Sequence, residues 1–78
     1  MDSALEQYRL RFPIGLRIRE LRVNAGLTQA ALAKRMGVSQ QVISRIESGE
    51  IENPTYLTLK RIARETGHSM YIDFYPLK

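Results

Sequence analysis

The fold is decided by residues 27–49, which have the sequence LTQAALAKRMGVSQQVISRIESG. Thr28 can cap a helix whose apolar residues recur at helical spacing on one face. Those apolar residues are Leu32, Ala33 and Met36. Gly37 tolerates the positive φ that ends a helix, and Ser39 can then cap a second helix that ends at Gly49. The stretch therefore predicts two short helices joined by a turn of about three residues.

The second predicted helix separates its apolar residues from its polar ones. The apolar residues lie within one arc of roughly 100°, and they are Val42, Ile43 and Ile46. The opposite arc carries Gln40, Gln41, Ser44, Arg45 and Ser48. An α-helix fits the major groove of DNA, where glutamine amides suit adenine and arginine suits guanine. If the partner is DNA, Gln40, Gln41 and Arg45 are therefore the candidates for base contact.

Ten residues at fixed spacing form a pattern that the two helices share with known proteins. The pattern is met by Thr28, Gln29, Leu32, Ala33, Gly37, Val38, Ser39, Ile46, Glu47 and Gly49. Here the chain resembles the DNA-binding helix-turn-helix family (Cro/C1-type, XRE-like) that includes the lambdoid phage repressors and many bacterial antitoxins. The resemblance extends over about residues 14–67. We expect an all-α, lambda-repressor-like helix-turn-helix domain of four to five helices with one C-terminal β-strand.

The resemblance also implies roles for individual residues. Lambdoid repressors carry amide side chains at the positions that match Gln40 and Gln41, and they use them on bases. Gln29 matches a residue that touches phosphate and braces the base-reading glutamine. Arg22 and Glu47 match a partly buried ion pair that links the first helix to the end of the recognition helix.

Two serines are further candidates for DNA contact. Ser39 and Ser44 can each bind a phosphate or a base, although the main role expected of Ser39 is that of N-cap.

The loop after the second helix differs from that of the phage repressors, in which it is basic. Glu50 and Glu52 would repel phosphate, so we do not expect this loop to grip DNA.

The chain divides into three predicted parts. They are an N-terminal arm at residues 1–13, a helix-turn-helix DNA-binding domain at 14–67 and a C-terminal strand at 68–78. In the arm, residues 3–12 fit a helix with a capping box, whereas residues 8–12 also alternate as in a strand. The helix is the favoured interpretation.

Two further helices are predicted around the central pair. The first spans residues 14–25, and its apolar face consists of Ile14, Ile18, Leu21 and Ala25. The other spans residues 55–66, and its core stripe consists of Tyr56, Leu59, Ile62 and Ala63. Leu57 lies outside that stripe, and we interpret it as a residue for subunit contact.

The C-terminal segment alternates in the manner of a strand. Met70, Ile72 and Phe74 fall on one side, opposite residues 71, 73 and 75. A single strand needs a partner for its backbone groups and its apolar face. We favour a two-stranded antiparallel ribbon between the subunits of a homodimer, as in antitoxins of the family, and pairing with residues 8–12 is the alternative.

Composition narrows the class of protein. Twelve basic residues against eight acidic ones give a formal net charge of +4, and the whole excess lies in residues 1–49, which favours a polyanionic partner. The chain has no Cys, one His and no His or carboxylate cluster at metal-ligand spacing. We therefore expect no enzyme, no metal and no cofactor. Without an apolar run of membrane-spanning length, a cytoplasmic protein with no membrane partner is expected.

The functional hypothesis is a homodimeric, sequence-specific transcriptional repressor on a palindromic operator in double-stranded DNA. The terminal strand suggests an antitoxin that represses its own synthesis and binds a cognate toxin. The alternative is a protein-interaction scaffold that uses the helix-turn-helix fold without binding DNA, and the acidic loop favours it.

Overall fold

Four helices follow one another in residues 14–77, the part of the chain that the computed structural model describes. They are α1 (Ile14–Asn24), α2 (Gln29–Met36), α3 (Gln40–Ser48) and α4 (Tyr56–Glu65). Helix α3 packs against α1 and α2, and α2 also packs against α4. The predicted all-helical fold is confirmed for these residues. The predicted helix or strand of the N-terminal arm lies outside them.

Local capping chemistry sets the ends of the central helices, as the sequence predicts. The side chain of Thr28 accepts a hydrogen bond from the Ala31 backbone N–H, and Ser39 caps α3 in the same way. Gly37 and Gly49 end α2 and α3 with φ of 72° and 85°, values that favour glycine. The two helices and the turn between them are therefore confirmed.

The core consists mainly of the apolar faces of α2 and α3. Its fully buried large side chains are Leu32, Ile43, Ile46 and Ile62. Ile18, Ala33 and Met36 complete the cluster, with Val42, Ile51 and Leu59 packed at its edge. Helix α3 thus faces the core with its apolar arc, and its polar arc faces outward.

The predicted apolar faces of α1 and α4 are wrong at their ends. Ile14 is 42% exposed and Tyr56 is 52% exposed, and Ala25 lies exposed beyond the last residue of α1. Each lies at or beyond a helix terminus, and the described residues leave it exposed. Helical periodicity places a residue on a face, but burial also requires another element to cover that face.

Gly15 is buried where the backbone of α1 approaches the end of α3. A Cβ atom at this position would lie 2.6 Å from the carbonyl oxygen of Glu47, and it would also meet that of Ile46. These neighbours are backbone atoms, which cannot move aside without shifting α3. Glycine therefore permits the close packing of α1 on α3, a requirement that the sequence patterns do not predict.

Two arginines cap helices other than their own. Arg35, at the end of α2, donates to the carbonyl oxygen of Glu65 at the end of α4. Arg61 of α4 donates in return to the carbonyl oxygen of Met36, the last residue of α2. Cations satisfy the free carbonyl groups and the negative dipole at helix C-termini. These two hydrogen bonds link the C-terminus of α2 to α4.

The C-terminal segment forms no strand within the described residues. Residues 69–75 are irregular here, although the alternation predicted a strand. A strand is defined by backbone hydrogen bonds to a neighbour, and no neighbour pairs with this segment in residues 14–77. Ile72 and Phe74 are exposed, and Met70 is partly buried beside α1 and α4.

Replacing Gly15 with Ala should lower the free energy of unfolding by about 1 to 3 kcal/mol, because the methyl group overpacks the α1–α3 contact. The effect runs against helix propensity, which favours Ala over Gly in a helix. Urea denaturation measures it. Val23→Ala, at an exposed position of the same helix, is the matched control and should change stability by no more than about 0.5 kcal/mol. A more stable Gly15→Ala variant would contradict the packing described here.

Candidate nucleic-acid interface

The exposed face of α3 carries the polar residues that the sequence singled out. The exposed residues are Gln40, Gln41, Ser44 and Arg45. On the other side of α3, Ile43 and Ile46 are buried in the core. Gln40 and Gln41 occupy the first turn, and Arg45 follows Gln41 by four residues on the same side of the helix. The structure thus brings together three side chains with groups that bind base edges.

The carboxylate of Glu47 joins three helices behind this face. Its two oxygens accept hydrogen bonds from Arg22 of α1, at 2.6 Å from Nε and 3.0 Å from Nη2. Gln29, the first residue of α2, donates its side-chain N–H to the same carboxylate at 3.1 Å. The side chains of Arg22 and Glu47 are only 11% and 5% exposed. The structure therefore brings together the two residues of the expected ion pair.

Arg22 is also fixed to the backbone. Its Nη1 donates to the carbonyl oxygen of Leu27, 2.8 Å away, in the turn between α1 and α2. Hydrogen bonding to Glu47 raises the pKa of Arg22 above its ordinary value, although burial opposes this effect. Arg22 is consequently a permanent cation, and its planar fork fixes the carboxylate at two points.

Two of the predicted DNA-contact residues make internal contacts in this structure. Gln29 braces Glu47, whereas the resemblance implied that it braces a base-reading glutamine. The Ser39 hydroxyl accepts a hydrogen bond from the Val42 backbone N–H at 3.4 Å, in its expected role as N-cap. Ser44 lies exposed on the polar face. The contacts of all these residues with DNA remain predictions.

A polar cleft of about 250 Å³ borders the same face. It is lined by Arg19, Arg22, Gln29, Ser44, Glu47 and Ser48. Arg19 is exposed, and the sequence analysis did not assign it a role. The available signal was its spacing, because residues three apart share one side of a helix and Arg19 precedes Arg22 by three.

The loop after α3 also reaches the polar face. Arg45 Nε lies 3.6 Å from Glu50 Oε2, and both side chains are more than half exposed. We expect this acidic loop to repel phosphate, and its Glu50 also forms an ion pair with Arg45 of α3. Sequence spacing alone did not identify that pair, since the two residues belong to different structural elements.

Comparison with known proteins identifies the family. Residues 18–70 match the family described as helix-turn-helix, which is most of the described chain. The chain belongs to the helix-turn-helix family. The resemblance to lambda-repressor-like proteins is therefore confirmed, and the family places the chain among DNA-binding proteins and not among enzymes.

Three similar proteins carry the name of uncharacterised HTH-type transcriptional regulator. One, from Methanothermobacter thermautotrophicus, is 42% identical over 60 residues, which cover 77% of this chain and 86% of that protein. Another, from Sinorhizobium fredii, is 41% identical over 56 residues, or 72% and 71% of the two chains. A third, from Archaeoglobus fulgidus, is 44% identical over 48 residues, or 62% and 67%.

No group of three or more His, Cys, Asp or Glu side chains that could hold a metal ion occurs among residues 14–77. Over the same residues, no helix has the length and apolar character that crossing a membrane requires.

Replacing Glu47 with Ala should lower the free energy of unfolding by about 1.5 to 3 kcal/mol, because it removes hydrogen bonds to a charged group. It also leaves the Arg22 guanidinium without its carboxylate in a largely buried position. Chemical denaturation measures the loss.

Glu20→Ala is the matched control for Glu47→Ala. Glu20 pairs with Arg17, but the two side chains are about half exposed, at 53% and 50%. Exposed ion pairs contribute about 0 to 1 kcal/mol. Equal losses in the two variants would contradict a special role for the Glu47 network.

Proposed function

We propose that this chain is a sequence-specific DNA-binding transcriptional repressor that acts as a homodimer in the cytoplasm. The observation that carries the proposal is the exposed face of α3, where Gln40, Gln41 and Arg45 are presented by a helix that Glu47 fixes to α1 and α2. The names of the relatives support the class of function. The basic excess in residues 1–49 supports DNA as the partner.

In the proposed complex, α3 lies in the major groove of double-stranded DNA. Gln40 and Gln41 contact base edges near the N-terminus of the helix, and Arg45 reads guanine one turn further along. Gln29, Ser39 and Ser44 contribute phosphate or base contacts at the edge of this surface, as the resemblance and their positions suggest. Repression then follows from occupation of the operator, without any catalytic step.

Replacing Gln41 or Arg45 with Ala should reduce discrimination at individual base pairs by about 1 to 3 kcal/mol, because each removes one base-reading side chain. Selection of bound sequences from a random DNA pool, with the wild-type chain and each variant, measures the change. Lys60→Ala is the control, since Lys60 is exposed on α4, away from α3.

Unaltered selected sequences in the Gln41→Ala and Arg45→Ala variants would contradict these assignments. Selection of no DNA by the wild-type chain would instead favour the second candidate function, a protein-interaction scaffold. That candidate has one specific observation in its favour, namely the acidic loop with exposed Glu50 and Glu52. The polar face of α3 argues against it, because protein-docking helices usually present apolar anchors.

The proposed homodimer uses the C-terminal segment. Ile72 and Phe74 are 57% and 88% exposed, and Leu57 of α4 is 65% exposed. Met70 lines an apolar groove of about 350 Å³ between α1, α4 and this segment. Exposed apolar groups of this kind favour burial against another chain. We infer that Met70, Ile72 and Phe74 form a strand that pairs with its copy, with Leu57 as a further contact.

Replacing Ile72 and Phe74 together with Asp should convert the dimer to a monomer, because charges cannot be buried in the ribbon without a partner. Sedimentation equilibrium measures the molecular mass. The control variant changes Tyr71 and Tyr75 to Ser on the opposite side of the predicted strand, and it should remain dimeric. A wild-type chain that is monomeric while it binds DNA would contradict the proposed dimer.

A homodimer places one recognition helix in each of two major grooves. The half-sites of a palindromic operator should then lie about 34 to 36 Å apart, or a multiple of that distance. We further propose that the chain is the antitoxin of a toxin–antitoxin pair, since several antitoxins of the family that it resembles end with a strand that pairs across a dimer. Co-purification with the product of the neighbouring gene tests this role.

A further inference from the structure

Arg45, which the proposed function assigns to guanine, has an acidic neighbour in the loop that follows α3. Its Nε atom lies 3.6 Å from Glu50 Oε2. We propose that Glu50 is a positioning residue that orients Arg45 toward the base edge and makes DNA binding more selective. This inference rests on the proposed DNA-binding function.

The backbone on both sides of Glu50 is anchored. Gly49 adopts a positive φ of 85° at the end of α3, and the Glu50 N–H donates to the Ser48 hydroxyl at 3.3 Å. The next residue, Ile51, donates its N–H to the carbonyl oxygen of Arg45 at 3.0 Å and packs against the core. The loop therefore holds the backbone of Glu50 close to Arg45, and the Glu50 carboxylate reaches the guanidinium from there.

Glu52 belongs to the same loop but lacks these contacts. It is exposed, and within residues 14–77 it forms no hydrogen bond or ion pair. The two glutamates thus carry the same charge, yet only Glu50 faces Arg45. Glu52 provides a natural control for the effect of loop charge alone.

The position of the Glu50 carboxylate suits an arginine that reads a base. A guanidinium has five N–H donors, and a carboxylate beside Nε leaves terminal donors free for the O6 and N7 atoms of guanine. Both side chains are largely exposed, at 52% for Arg45 and 67% for Glu50, so the pair contributes little to folding stability. Its effect is on orientation, because a side chain that is already positioned loses less conformational entropy on binding.

The charge of Glu50 also lowers the affinity for DNA in general. At the DNA surface its carboxylate is repelled by phosphates, whatever the base sequence. Specificity is a difference between affinities, so a cost that is equal on all sites leaves the preference unchanged. The proposed effect of Glu50 on selectivity therefore comes from the orientation of Arg45.

The test compares Glu50→Gln with Glu52→Gln in the full chain, since each variant removes one negative charge from the loop. The probes are a duplex selected by the wild-type chain, the same duplex altered at the base pair whose preference Arg45→Gln abolishes, and mixed-sequence DNA. Both variants should bind mixed-sequence DNA more tightly. Only Glu50→Gln should reduce the preference at the Arg45 base pair, by about twofold to fivefold.

Equal preferences in the Glu50→Gln and Glu52→Gln variants would overturn the assignment of Glu50, and so would an unchanged preference in Arg45→Gln. Failure of the wild-type chain to bind any DNA would instead overturn the proposed function, and this inference with it.

Discussion

The ion pair between Glu47 and Arg22 is the largely buried polar contact that joins α3 to the helices before it. Glu47 is near the end of α3, Arg22 near the end of α1, and Gln29 begins α2, so one carboxylate fixes three helices. Its largely buried position makes this geometry costly to break, because neither charge could recover full hydration in place. In the proposed complex, this rigid framework behind α3 would reduce the conformational freedom that is lost when α3 meets DNA.

The small core limits how the rest of the molecule can be built. Few large side chains are fully buried, and α3 supplies two of them, Ile43 and Ile46. The recognition helix is therefore also a central element of the core. Gly15 lets α1 approach it closely, and Arg35 and Arg61 fasten α2 to α4 through their C-termini. The residues proposed to read bases are thus carried by the same helix that fills much of the core.

Charge is distributed unevenly around the proposed DNA surface. The basic excess lies in residues 1–49, while the loop after α3 is acidic. An entirely basic surface would attract DNA of any sequence, because phosphate contacts carry no sequence information. The Arg45–Glu50 pair places an anion where the surface is proposed to meet bases, which opposes indiscriminate binding. The charge of the loop thus lies beside a residue that is proposed to read bases.

The sequence by itself determined the local structure of the central helices. The caps at Thr28 and Ser39, the positive-φ glycines and the apolar spacing of α2 and α3 depend on neighbours within a few residues, so the central helices were predicted with their bounds. The resemblance supplied the pairing of Arg22 with Glu47, which periodicity alone does not give.

Only the tertiary structure decided which residues of different helices and loops contact one another. The exposure of Ile14, the close approach at Gly15 and the contact of Arg45 with Glu50 follow from helix placement. Likewise, residues 69–75 alternate as a strand does, but a strand exists only where another backbone supplies its hydrogen bonds.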